Sequence, residues 1–266
     1  DALPIYAIIV HMPLPPRFSN QKNLRGLRYS ELSREPLYML AFLLPMIVFY
    51  EVALYSSYSS KAHIQIKAHD HLVKFFEMFD MPVTQGLWLG GIAIVTILFF
   101  WHVYNGNRWA IRWQIVGGMA LESICFTVPL VLFGAVLGGY AAAASASSIG
   151  SLDIFDKIAV SFGAGLYEEL LFRMLLIAGI HSVVCNVFKQ SNVMGLGISV
   201  FASALLFALY HDLPNAGTLS PLVLFFFFGA GVYLGILYVI RGFGIAAATH
   251  AAYDVIATIL LTPAAQ

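Results

Sequence analysis

Charge is what this 266-residue sequence has least of. Asp, Glu, Lys and Arg make up 11% of it, under half of the roughly 25% carried by an ordinary soluble domain. So little polar surface cannot coat a water-soluble globule of this size. No excess of either sign exists, since 14 basic residues face 14 acidic ones, and nucleic acid is excluded as an expected partner. Cysteine is almost missing. Cys125 and Cys185 sit in apolar stretches with no disulfide framework or metal-ligand spacing around them, and read as reduced packing residues. A Gly-x-Ser-x-Gly elbow and a His-Glu-x-x-His pair are also lacking, which argues against a serine nucleophile and a thermolysin-like zinc site. The apolar runs do not alternate, so a barrel is excluded.

What is present is hydrophobic length. Apolar residues make up 60% of the chain, and a bilayer core needs about 20 of them per helix. Spans are expected at 37–55, 87–104, 114–140, 192–210, 219–240 and 243–261. The stretch 154–188 is a seventh, with polar residues in its middle. The fold class is therefore an all-α polytopic membrane protein with about seven transmembrane helices. Residues 1–266 are expected to form one membrane domain, within which 1–36 is a basic, proline-rich N-terminal segment. Lys61–Asp80 mixes apolar and charged residues as a helix lying in the headgroup region does, and equally as a solvated loop helix does. His63, His69 and His71 in that stretch read as incidental, because 69 and 71 fall on different helix faces. The stretch 138–152 reads as a small-residue connection. Basic residues favour the cytoplasmic side, and their distribution puts the N-terminus inside, in what is expected to be a prokaryotic cell membrane.

Ionisable side chains at bilayer depth mark function or a buried partner. Three short stretches hold most of them. The first is Glu168-Glu169-x-x-x-Arg173, for which the 7 Glu and 8 Arg of the chain predict roughly 0.006 chance occurrences. Neighbouring glutamates point about 100° apart on a helix and cannot share one role. Glu169 and Arg173 are i and i+4 with the acid first, the favourable order for an ion pair. Glu168 is then left to face a cavity without a counter-charge, as a general base. The second stretch, Phe207-x-x-x-His211-Asp212, closes its span, with Phe207 one turn below His211 and placed to shield its ring from lipid. The third, His250-x-x-x-Asp254, lies in mid-span with both groups on one face. Elsewhere, Glu51 is expected to reach the interface from a span end. Glu122 either lines the cavity or bonds a neighbouring helix. Gly231 with Gly235, and Gly134 with Gly138, fit small-residue helix packing.

Three polar motifs in order on three apolar segments resemble the CPBP family, the type II CAAX prenyl endopeptidase-like intramembrane proteases, also called the Abi family. The resemblance covers 150–261, the expected catalytic core. It implies a membrane endopeptidase with its active site sunk in an intramembrane cavity, cleaving prenylated tails or other membrane-tethered peptides. It also implies that Glu168 and His211 activate water while His250 and its i+4 partner bind the oxyanion. Many members carry Asn where this chain has Asp254. An ionised Asp254 would repel an oxyanion, so it is protonated, orients His250, or does something else. Glu169, Arg173 and Phe207 are supporting residues. No cofactor is favoured. Zinc held by Glu168, His211 and His250 is the alternative. A proton-coupled transporter and a non-catalytic scaffold or immunity protein are the remaining rivals, although no half-helix breaks or paired halves are visible. The expected partners are the lipid bilayer and a membrane-tethered peptide or protein substrate. One difficulty accompanies the site. Counting along the spans puts His211 toward the outer face and His250 in the inner half, so a helix is kinked or a boundary is misplaced.

Overall fold

A computed structural model describes residues 28–59, 89–137, 153–212 and 221–259 of the chain. The expected amphipathic stretch at 61–80 with its three histidines, the connection at 138–152 and most of the N-terminal segment lie outside the described residues. Seven long apolar helices occur among the described ones. They are α1 (Pro36–Ser59), α2 (Leu89–Asn105), α3 (Trp113–Val136), α4 (Ile154–Val187), α5 (Asn192–Asp212), α6 (Pro221–Arg241) and α7 (Phe243–Ile259). Five are long and apolar enough to cross a bilayer, while α2 and α7 are shorter. A single helical turn, Tyr29–Leu32, precedes α1.

The helix ends follow local chemistry. Asp153 starts α4, its side chain accepting from the Asp156 N–H at 2.9 Å, which satisfies one orphan donor of the first turn. One residue, Gly242, separates α6 from α7 and holds φ +86°. Its N–H donates to Tyr238 O at 2.8 Å, the left-handed helix stop that glycine adopts without strain.

Helix α7 is the axis of the molecule. Every residue from Phe243 to Ala251 is buried, and α1, α3, α4 and α6 all contact it. Its small side chains explain that position. Ala247 and Ala251 let α4 approach so closely that a Cβ on Gly165 would stand 2.6 Å from Ala247 O and 2.7 Å from Ala251 Cβ, the small-residue contact that packs membrane helices. Polar glue joins α7 to α3: Thr249 Oγ1 donates to Ser123 O, and Thr127 Oγ1 lies 3.3 Å from Thr249 O. Gly231 likewise lets α6 meet α5, where its Cβ would fall 3.0 Å from Ala204 Cα.

Helix α4 runs for 34 residues, about 51 Å at helical rise, and it is not uniform. It widens to π-helical pitch over Leu170–Ile177 and Val183–Val187. Ser203 of α5 donates to Phe172 O at 2.7 Å in the first widened segment, serving a carbonyl where the α-helical ladder is interrupted.

Candidate active site

The depth conflict between His211 and His250 disappears in the fold. Helices α4 and α5 form a hairpin, and the counts along its two arms agree. Glu168 lies nineteen residues before Val187, and His211 nineteen residues after Asn192. Folding back at the turn brings the two side chains together, Glu168 Oε2 and His211 Nε2 lying 3.4 Å apart, although one is in mid-helix and the other at a helix end. Gly165 then sets α7 against α4 with His250 one residue before Ala251 of the contact. Among the described residues the expected span boundaries lie within a few residues of the helix ends.

Six ionisable groups therefore meet. Glu168 Oε2 lies 3.4 Å from His211 Nε2 and 3.8 Å from His250 Nε2. Glu168 is thus not the carboxyl without a counter-charge that its sequence position suggests, because two imidazoles from different helices face it. Glu169 Oε1 is 2.9 Å from Arg173 Nη1, both side chains fully buried. The same oxygen is 2.7 Å from His250 Nδ1, a contact absent from the spacing argument. The two glutamates thereby approach opposite nitrogens of one ring. Asp254 Oδ2 is 3.5 Å from His250 Nε2.

Hydrogen-bond direction orders the protons. His211 Nδ1 lies 2.9 Å from Phe207 O. A carbonyl only accepts, so Nδ1 carries the proton and Nε2 is the nitrogen turned to Glu168. His250 Nδ1 donates to Glu169, whose charge Arg173 balances. Three carboxyl groups thus face three basic ones, and the cluster is neutral overall when all six are charged, the balance that a buried ionic group requires.

Aromatic rings close the site. Phe207 stands 4.4 Å from the His211 ring and 5.9 Å from His250, with the Arg173 guanidinium 4.3 Å over its face. Phe207 therefore touches three members of the cluster, beyond shielding one. Phe227 of α6 stacks on His211 at 4.2 Å and 20°. The sequence offers no sign of that residue's role, since it sits inside the run Phe225–Phe228. Tyr253 lies over Phe226 at 6.0 Å.

Other expectations need correction. Glu51 does not reach the interface. It is 6% exposed and accepts from Tyr167 Oη at 2.7 Å and from the Gly91 N–H at 3.0 Å. Both donors meet Oε1, while Oε2 is buried with no hydrogen-bond partner among the described residues. Of the two readings of Glu122, the bond to a neighbouring helix holds, with Arg241 Nε and Nη2 at 2.6 and 2.7 Å. Cys125 is exposed on the helix surface instead of packed. Cys185 stands one turn from His181, its Sγ 3.5 Å from Nε2, so this cysteine does have a histidine at helical i, i+4 spacing, contrary to its reading as a packing residue alone. The same nitrogen is 2.7 Å from Asn192 Oδ1, and the thiol faces Ser191 O. The trio ties the hairpin turn together, and its imidazole is not free to take the thiol proton.

Among the described residues, no group of three His, Cys, Asp or Glu side chains is arranged to hold a metal ion. Both histidine Nε2 atoms of the expected zinc set approach Glu168 Oε2 itself.

Residues 150–256 match the family model described as type II CAAX prenyl endopeptidase Rce1-like. The match contains every member of the cluster. No curated protein and no solved structure gives a match. The C-terminal part of the chain is thus similar to the CAAX protease (CPBP) family, a family of peptidases, and the chain is an integral membrane protein.

Proposed function

We propose that the protein is an intramembrane endopeptidase that hydrolyses a peptide bond in a membrane-tethered substrate, with water activated by Glu168 and His211. The observation that carries this reading is the meeting of Glu168 with His211 Nε2 and His250 Nε2 from three separate helices at 3.4 and 3.8 Å. Amide hydrolysis needs a base for water, a donor for the tetrahedral oxyanion and an acid for the leaving amine.

Glu168 and His211 Nε2 hold one water between them, and Glu168 takes its proton as the water oxygen attacks the carbonyl carbon. The carbonyl π pair moves onto oxygen, where His250 Nε2–H donates to it. Glu169 keeps His250 in that role by accepting at Nδ1, and Arg173 holds Glu169 in place through the ion pair at 2.9 Å. Glu168 then delivers its proton to the amine nitrogen as the C–N bond breaks, leaving a carboxylic acid and an amine. Asp254, one turn from His250, orients the ring. The bilayer holds the substrate's lipid or apolar anchor, and the N-terminus faces the cytoplasm.

The test uses purified enzyme in proteoliposomes with a lipid-anchored reporter peptide. Glu168→Gln is expected to lower cleavage by about 10³-fold, with the thermal midpoint unchanged and wild-type activity surviving chelator treatment. Full cleavage by Glu168→Gln would overturn the mechanism. Activity lost to the chelator and restored by zinc would replace it with metal-assisted hydrolysis.

A further inference from the structure

Glu51 is a buried carboxyl that the proposed mechanism does not use, on a helix outside the family match. Its partners are informative. Tyr167, the residue immediately before Glu168, donates its phenol to Glu51 Oε1 at 2.7 Å, and the Gly91 N–H donates to the same oxygen at 3.0 Å. Gly91 belongs to the first turn of α2, where a backbone N–H has no intrahelical acceptor. Glu51 supplies that acceptor from α1. The rings of Tyr50 and Tyr167 meet edge to face at 5.2 Å and 63°.

Two consecutive glycines make this possible, each for a different partner. A Cβ on Gly90 would stand 2.7 Å from Tyr167 Cζ, and one on Gly91 would lie 3.0 Å from Ile47 Cγ2 and 3.1 Å from the Glu51 carboxyl carbon. Gly90 admits the tyrosine and Gly91 admits the glutamate. Tyr167 is fully buried, so its ring is held on all sides at the residue adjoining Glu168. Membrane helices have no hydrophobic force to fix their register against one another, and a buried polar node fixes it instead.

We infer that Glu51, Tyr167, Gly90 and Gly91 form a three-helix latch that sets the position of Glu168 against His211 and His250, which makes Glu51 and Tyr167 positioning residues for the reaction. This rests on the catalytic reading of Glu168. The N-terminal helices then serve the active site directly, by holding one side of the Glu-Glu motif while Arg173 holds the other.

Tyr167→Phe removes the donated hydrogen bond, and Glu51→Leu removes the acceptor. Both are expected to lower kcat about tenfold with KM unchanged, since a misplaced general base slows chemistry without weakening substrate binding. Glu51→Gln keeps the accepting oxygen and is expected to stay within about twofold of wild type. A second readout does not depend on turnover. The carboxyl infrared band of Glu168, identified as the band missing from Glu168→Gln, should shift in Tyr167→Phe and Glu51→Leu and stay in place in Glu51→Gln. An unmoved band together with full kcat in folded Tyr167→Phe and Glu51→Leu would overturn the latch. If Glu168→Gln cleaves normally while the band still shifts, the catalytic reading falls and the latch stands as a positional device.

Discussion

Two arginines are buried against two glutamates in this protein, and they are used differently. Arg241 grips Glu122 with two nitrogens, one on each oxygen. Its Nη2 also donates to Ser33 Oγ at 3.0 Å and its Nη1 to Ser30 O at 3.4 Å. Tyr29 adds a phenol to Glu122 Oε2 at 2.5 Å. Both carboxylate oxygens are answered, and the turn Tyr29–Leu32 is tied to α3 and α6. Arg173 instead meets a single oxygen of Glu169, which His250 shares. Glu169 Oε2, Arg173 Nε and Glu168 Oε2 are buried and make no hydrogen bond among the described residues. The Arg241 cluster closes its hydrogen bonds, while the Glu168 cluster leaves valences open, as the proposed reaction needs for what arrives.

The largest separation of the two arginines comes from one substitution made twice. Arg173→Met removes one of the two charged partners of the fully buried Glu169, which costs about 3–5 kcal/mol. It should also lower cleavage per folded molecule by about 10²-fold, as His250 loses its charged support. Purified protein assayed for both thermal midpoint and turnover distinguishes the two losses. Phe227→Leu comes next. Removing the ring stacked on His211 should lower kcat by about tenfold through misorientation, and normal turnover in that variant would make Phe227 a lipid-facing ring and nothing more. Asp254→Asn keeps the shape and hydrogen bonding while removing a charge near the oxyanion, so turnover should stay within about threefold; Asp254→Leu separates shape from hydrogen bonding. The smallest effect on chemistry is expected at Arg241→Met, which should destabilise the protein by about 3 kcal/mol and leave turnover per folded molecule within about twofold. A large kcat loss there would show that the two clusters are coupled and that the distinction fails.

Much of this was legible before any coordinates. The seven apolar helices follow from the bilayer's demand for continuous hydrocarbon, and their ends fall within a few residues of the apolar runs. The members of the cluster are legible for the same reason, because a charge at bilayer depth stands out against its neighbours. Two kinds of information were not. Glu51 has a backbone N–H and a phenol as its donors, and neither has a spacing that marks it, so its neighbourhood at a span end suggested an interface. Phe227 is one of four consecutive phenylalanines, and only the rotation of α6 decides which of them meets His211. Depth was misjudged because Glu168 lies in the middle of a 34-residue helix while His211, which meets it, lies at the end of α5.

The turn between α4 and α5 has a consequence for how such a chain can change over time. Inside each motif the spacing is local and survives an insertion elsewhere. The 43 positions from Glu168 to His211 are a different kind of constraint, since that interval is folded at its middle and read end against end. A residue gained in one arm would leave both motifs intact to the eye while turning their side chains away from each other. The hairpin behaves as a gauge whose two limbs must be recalibrated together, so viable length changes in this interval are expected at the tip, where the count on both sides is untouched.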